Sequence, residues 1–192
     1  DAGLALKCDN AQWKRQRLLW NGWRWMTARG KGGYQYSVPF LERLWQVDQP
    51  RLLDQITINC FQLFPPSMVK EPRYRKIFYI DMTLHQLFED YQIRQFIGSS
   101  IAREALEREQ LGYQAADLVV GHSQWAARSV IEDYGISPDK VSAIVPGANI
   151  DRSVYQQWYA QASQPVSTAE EPLKLIFVGK YWDRKGLDRL LE

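Results

Sequence analysis

Two lysines five residues apart, Lys180 and Lys185, each next to a glycine, are the residues in this chain best suited to hold an anion. They lie in Leu173-Lys-Leu-Ile-Phe-Val-Gly179-Lys180-Tyr-Trp-Asp-Arg184-Lys185-Gly186-Leu-Asp-Arg-Leu-Leu191. Leu173 to Val178 reads as a buried parallel strand, because apolar residues fall on both faces. Gly179 lets the backbone turn, and a helix is expected to begin at Gly186. Free N–H groups and the positive end of that helix would face the lysines, which suits a phosphate. An ordinary βα loop with solvated lysines has the same grammar. The loop is neither a Walker A sequence nor a Gly-x-Gly-x-x-Gly fingerprint.

A second polar set is Asp81, Thr83 and His85, directly after the apolar run Lys76-Ile-Phe-Tyr-Ile80. Ligands of open α/β sheets bind beyond the carboxyl ends of strands. A carboxylate, a hydroxyl and an imidazole there can hydrogen-bond sugar hydroxyls. Asp81 and Thr83 can equally cap the helix that begins at Leu84, and the sequence leaves both readings open. Two histidines do not make a His-based metal site. No Asp-x-Asp pair is present. Cys8 and Cys60 have neither metal-ligand spacing nor a disulfide framework. His122-Ser123 does not form a hydrolase pair, since neighbours on a strand point to opposite faces and the Gly-x-Ser-x-Gly elbow is missing.

The elements that must position these groups alternate. Strands are expected at Ile56–Leu63, Lys76–Ile80, Asp117–Ser123 and Lys140–Val145. Helices are expected at Val38–Gln46, Leu84–Tyr91, Ile101–Ala116 and Gln124–Tyr134. Ser123 should cap the last helix and Gly135 should close it. Glu104 and Arg108 form an i,i+4 pair. This rhythm implies a parallel sheet with right-handed crossovers. With 192 residues, 45% of them hydrophobic and 24% charged, the chain can bury a core. No apolar run reaches the length of about 18 residues needed to span a bilayer, and no signal peptide opens the chain. The net charge of +2 gives no reason to expect a nucleic-acid partner.

Asn10 to Arg29 reads as a helix rich in Trp13, Trp20, Trp23 and Trp25, interleaved with cations such as Arg17 and Arg24. No acidic residue lies between Asp9 and Glu42. A surface helix with its Trp face packed inward and its cations outward fits this pattern. So does a helix lying on an anionic membrane through Trp13, Trp20, Trp23, Arg17 and Arg24. Aromatics with cations also suit single-stranded nucleic acid.

Phe-Val-Gly-Lys-x-x-x-x-Lys-Gly-x-x-x-Leu-Leu resembles the start of the donor domain in family-4, retaining GT-B glycosyltransferases. Lys180 stands where that family usually has Arg, and Lys185 at its Lys position. The stretch from Glu104 to Asp151, with Ala-Asp-Leu-Val-Val, Tyr-Gly-Ile and Ile-Val-Pro-Gly-Ala-Asn-Ile-Asp, is similar to the end of the acceptor domain in the same enzymes. Gly147 and Asn149 match a turn that faces the interdomain cleft there.

The resemblance implies a GT-B α/β fold, with Rossmann-like parallel sheets flanked by helices. Residues 1–151 would be most of an acceptor-type N-terminal domain whose first strand is missing. Residues 152–172 would be a linker, and 173–192 the first βα unit of the donor domain. It implies transfer of a sugar from a nucleotide-diphosphate donor to a hydroxyl acceptor (a glycan, a lipid-linked or a small molecule), with retention and without metal. The nucleotide-sugar is a substrate, so no cofactor is implied. Gly179, Lys180, Lys185 and Gly186 would hold the donor diphosphate. Asp81, Thr83, His85, Gly147 and Asn149 would line the acceptor side. Polysaccharide biosynthesis in the cytoplasm, peripherally at the inner face of the membrane, is the expected setting. The catalytic set is incomplete, so the chain alone is expected to have little or no transferase activity. The alternative is a non-catalytic α/β binding module that grips a membrane or a phosphorylated partner through the Trp/Arg-rich helix.

Overall fold

The computed structural model describes residues 10–27, 32–48, 56–147, 149–162, 176–179 and 185–191, with backbone alone for 10–13 and 46–48. The chain divides into two compact units, Asp1–Pro146 and Gly147–Glu192.

In the first unit, helices α1 (Asn10–Met26) and α2 (Val38–Asp48) precede an alternation of strands and helices. It runs β1 (Ile56–Asn59), α3 (Pro66–Val69), β2 (Arg75–Ile80), α4 (Leu84–Glu89), α5 (Ser99–Ala115), β3 (Leu118–Gly121), α6 (Gln124–Glu132) and β4 (Val141–Ala143). All four strands are parallel and lie in sequence order, β1-β2-β3-β4. In such an order, crossovers of the usual right hand place the connecting helices on one face. The core agrees. Phe78, Ile80 and Val119 pack with Phe64 and Met68 before β2, Tyr113 on α5, and Val130, Tyr134 and Ile136 around α6. On the other face Ile77 and Tyr79 are half-buried, and Ile56 and Ile58 are exposed. A second core gathers Tyr36, Leu41, Leu63, Leu84, Phe88, Ile101, Ala102 and Ala105.

Local chemistry sets the ends of the elements. β1 stops sooner than the apolar run predicts because the Asn59 side chain folds the next residues into a turn. Its amide donates to the Leu63 carbonyl (3.0 Å) and its oxygen accepts from the Phe61 N–H (3.0 Å). Pro66 opens the short helix α3, where its missing N–H costs nothing. At the end of α6, Gly135 (φ 66°) donates to Ile131 O, an αL closure, and Ile136 donates to Val130 O. Gly121 ends β3 where the chain must pass close to α6. A Cβ there would stand 2.8 Å from the Ala127 nitrogen and 3.0 Å from the Ser123 carbonyl oxygen. Both are backbone atoms that cannot move aside. Gly121→Ala is therefore expected to lower stability by about 1–3 kcal/mol, read as a shifted urea midpoint at unchanged m-value.

In the second unit, Asp151 begins α7 (Arg152–Ala162) by accepting from the Ser153 N–H at 2.8 Å. The helix takes in Tyr155–Gln161, where the sequence of the expected linker predicts a short helix, and extends it at both ends. A four-residue helix, α8 (Leu187–Leu190), follows Gly186. The expected strand at Leu173–Val178 is corrected where it can be seen. Residues 176–179 take part in no strand ladder among the described residues, and Ile176 and Val178 are 87% and 86% exposed. A strand is buried only when neighbours take up its N–H and C=O groups and cover its side chains. Residues 171–175 lie outside the described residues.

Candidate functional site

The three polar residues after β2 go to three different surroundings. Thr83 is fully buried and is the N-cap of α4. Its hydroxyl accepts from Gln86 N while Gln86 Oε1 accepts from Thr83 N, a reciprocal capping box. The same hydroxyl lies 2.8 Å from Ser129 Oγ on α6. This corrects the expectation that Thr83 meets an acceptor: both its hydrogen-bonding directions are used inside the fold. Asp81 is exposed, and its Oδ1 accepts from the Met82 N–H at 2.9 Å. His85 is half-exposed, with Nδ1 3.3 Å from Asp133 Oδ2. It lines a hollow of about 190 Å³ with Arg103, Leu106, Glu107, Gln110, Asp133 and Tyr134. That hollow lies among α4, α5 and α6, and Asp81 takes no part in it.

The N-terminus of α4 is closed to ligands by a group that the sequence reading passed over. Glu109, on the inner stripe of α5, is fully buried. Both its carboxylate oxygens accept from the Leu84 N–H, at 2.9 and 3.0 Å. Tyr113 donates to Oε1 at 2.7 Å, and the Tyr134 hydroxyl donates to Oε2. Tyr134 in turn accepts from the His85 N–H at 3.0 Å. All four free N–H groups at the head of α4 are thus taken, by Gln86, Glu109, Tyr134 and Thr83. Burial pushes the Glu109 carboxyl up to about 8, against the pull of the two tyrosine hydroxyls and the Leu84 amide. Burial, joined by the neighbouring carboxylate, raises Tyr113 and Tyr134 too. The available signal was spacing: Ala102, Ala105, Glu109 and Gly112 share one helical stripe, and a carboxylate among small apolar residues demands partners.

The tryptophan-rich helix also turns one of its cations inward. Arg24 is buried, donates to Ser100 Oγ at 3.0 Å, and lies over the Trp20 and Trp23 rings at 5.4 and 5.9 Å. It is therefore not available to a lipid phosphate, a correction to the expected membrane set. Trp20 packs against the second core and lies 6.1 Å from the Tyr34 ring. Arg17 is exposed. The side chain of Trp13 lies outside the described residues.

In the second unit Gly147 and Asn149 are exposed. The Lys185 Cγ stands 3.5 Å from the point a Cβ on Gly179 would occupy, so the lysine stem passes over the glycine that ends the apolar run. Gly186 adopts φ 75°, ψ 26°, a left-handed conformation that glycine supplies without strain. Lys180 lies outside the described residues. Asp188 occupies the first turn of α8, where a carboxylate competes with any anion for the helix end.

The first unit is thus an α/β unit, a four-stranded parallel sheet carrying helices, the arrangement of a Rossmann-like half. Over 77 residues the chain is 32% identical to a D-inositol 3-phosphate glycosyltransferase of Geodermatophilus obscurus, a match that takes in 40% of this chain and 17% of that relative. No family model matches the chain, and no solved structure matches it. None of the described helices is long and apolar enough to cross a membrane.

Proposed function

We propose that this chain is part of a retaining, metal-free glycosyltransferase that moves a sugar from a nucleotide-diphosphate donor to a hydroxyl acceptor. The observation that carries the proposal is the 77-residue match to a glycosyltransferase. The α/β sheet and the lysine stem laid over Gly179 support it. In this reading Gly179, Lys180, Lys185 and Gly186 seat the donor diphosphate. The bond between the anomeric carbon and the diphosphate oxygen breaks, and the electron pair stays on that oxygen. A bond forms to the acceptor oxygen on the same face, and the acceptor's proton passes to the departing diphosphate. Charge grows on the leaving group as this happens, and cations already in place lower the barrier by meeting it. In the first unit, exposed Asp81 and half-exposed His85 are the groups available to an acceptor.

Calorimetric titration of UDP-glucose and GDP-mannose, with pyrophosphate as competitor, tests the seat. Lys185→Ala is expected to weaken binding about tenfold or more, the worth of one charge-assisted hydrogen bond. If the variant bound these probes as well as wild type, or if wild type bound none, the proposal would fail.

A further inference from the structure

The inward turn of Arg24 fixes which side of α1 faces outward. The Tyr34 hydroxyl donates to the side-chain carbonyl of Gln16 at 3.0 Å, and Trp20 and Arg24 are also held against the body of the unit. At 100° per residue these three share one side of the helix. On the opposite side stand Leu18, Trp25 and Met26, which are 70%, 79% and 72% exposed, with Leu19 beside them at 65%. Leu18 and Trp25 are seven residues apart and so fall on one stripe, and Leu18, Gly22 and Met26 fall on an adjacent one. Lys14 and Arg15, both exposed, stand on the same stripes one turn earlier, and exposed Arg17 stands at the flank between this side and that of Arg24. None of the three forms an ion pair with a carboxylate among the described residues.

Single exposed apolar residues are ordinary, but four large ones on the outer side of one surface helix mark a contact surface. The charge beside them selects the partner. Three cations flank the apolar stripe, and no carboxylate occurs from residue 10 to 41. A protein groove would have to supply carboxylates spaced to meet each cation, whereas an anionic bilayer presents phosphates along the whole helix. A single nucleic-acid strand would need ring faces for its bases, and Trp25 is the sole aromatic residue on this side. From this geometry we infer that the outer face of α1 docks on an anionic lipid bilayer. Leu18, Leu19, Trp25 and Met26 enter the headgroup boundary, and Lys14, Arg15 and Arg17 meet lipid phosphates. The surface is the reverse of the Trp20–Trp23–Arg24 side, and it does not depend on the transferase reading.

Vesicle co-sedimentation of the whole chain tests it without any turnover. Wild type is expected to pellet with phosphatidylcholine vesicles containing phosphatidylglycerol, not with phosphatidylcholine alone, and to be released by salt. Lys14→Gln/Arg15→Gln/Arg17→Gln should weaken partitioning on the order of a hundredfold. Leu18→Ser/Trp25→Ser should weaken it at least about tenfold. All five positions are exposed, and unchanged far-UV circular dichroism and urea midpoints would show that the variants fold. Failure of wild type to pellet with anionic vesicles would overturn the inference. So would variants that pellet like wild type, or capture of a single-stranded oligonucleotide in place of vesicles.

Discussion

Wild-type protein should lose stability steadily as pH rises from about 4.5 to 8, and Glu109→Gln should flatten that slope. The cause is the carboxyl buried beneath the N-terminus of α4. In the folded chain burial pushes it up to about 8, from the ordinary carboxyl value of 4.5. Between those limits the folded state holds a proton that the unfolded state has released. Stability therefore falls with pH, at most by about 1.4 kcal/mol per unit. Below about 4.5 both states are protonated and the contribution is fully present; above about 8 it is gone. Glutamine keeps an acceptor for the Leu84 N–H but cannot ionise, so this part of the pH dependence vanishes. Glu109→Ala removes the acceptor shared by Leu84 N, Tyr113 and Tyr134 and opens a cavity. Unsatisfied buried donors cost about 1–3 kcal/mol each, so this variant should be severely destabilised or unfolded. Urea midpoints at pH 5 and pH 9 for wild type and Glu109→Gln decide the matter. Parallel slopes for the two proteins would show that Glu109 does not titrate with folding.

The alternation of strand and helix was legible because each element carries its own signal. Ser123 accepts from Ala126 N at the start of α6, Gly135 closes that helix in a left-handed turn, and Glu104 meets Arg108 at 3.6 Å, all as their spacing predicts. These are local events, settled within one helical turn. Groups whose partners come from distant parts of the chain were not legible. Thr83 reads as a cap or as an acceptor ligand until Ser129, 46 residues on, closes over its hydroxyl. Glu109 looks like one more charge on a charged helix until Leu84 and Tyr134, each 25 residues away, converge on it. The run before Gly179 reads as a buried strand from its apolar content, but burial is a property of neighbours, and residues 176–179 show none pairing with them among the described residues. The donor-seat motif is likewise a local pattern of glycine spacing and paired cations, and its Lys180 lies outside the described residues.

Arg24 supplies the second large effect, because it anchors α1. A guanidinium that is almost fully buried donates to Ser100 at the head of α5 and rests on two indole rings. Truncation to Ala would remove that hydrogen bond, the cation–π contacts and the packing of the side-chain stem together. The expected loss is about 2–4 kcal/mol. Lysine should not rescue it, since a point charge cannot reproduce a planar group that stacks on rings while donating sideways. The damage should also be local. Among the described contacts α1 meets its unit through Trp20 on Tyr34 and the second core, Gln16 on the Tyr34 hydroxyl, and Arg24 on Ser100, and none of these three residues belongs to the core against the sheet. Hydrogen exchange should therefore show α1 amides in Arg24→Ala exchanging on the order of thirtyfold or more faster, by the 2 kcal/mol lower bound. Amides of β2 and β3 should keep their protection. Uniform loss of protection across α1 and the strands would mean that the helix folds and unfolds with the sheet as one body, and that Arg24 is a part of the core and not an anchor to it.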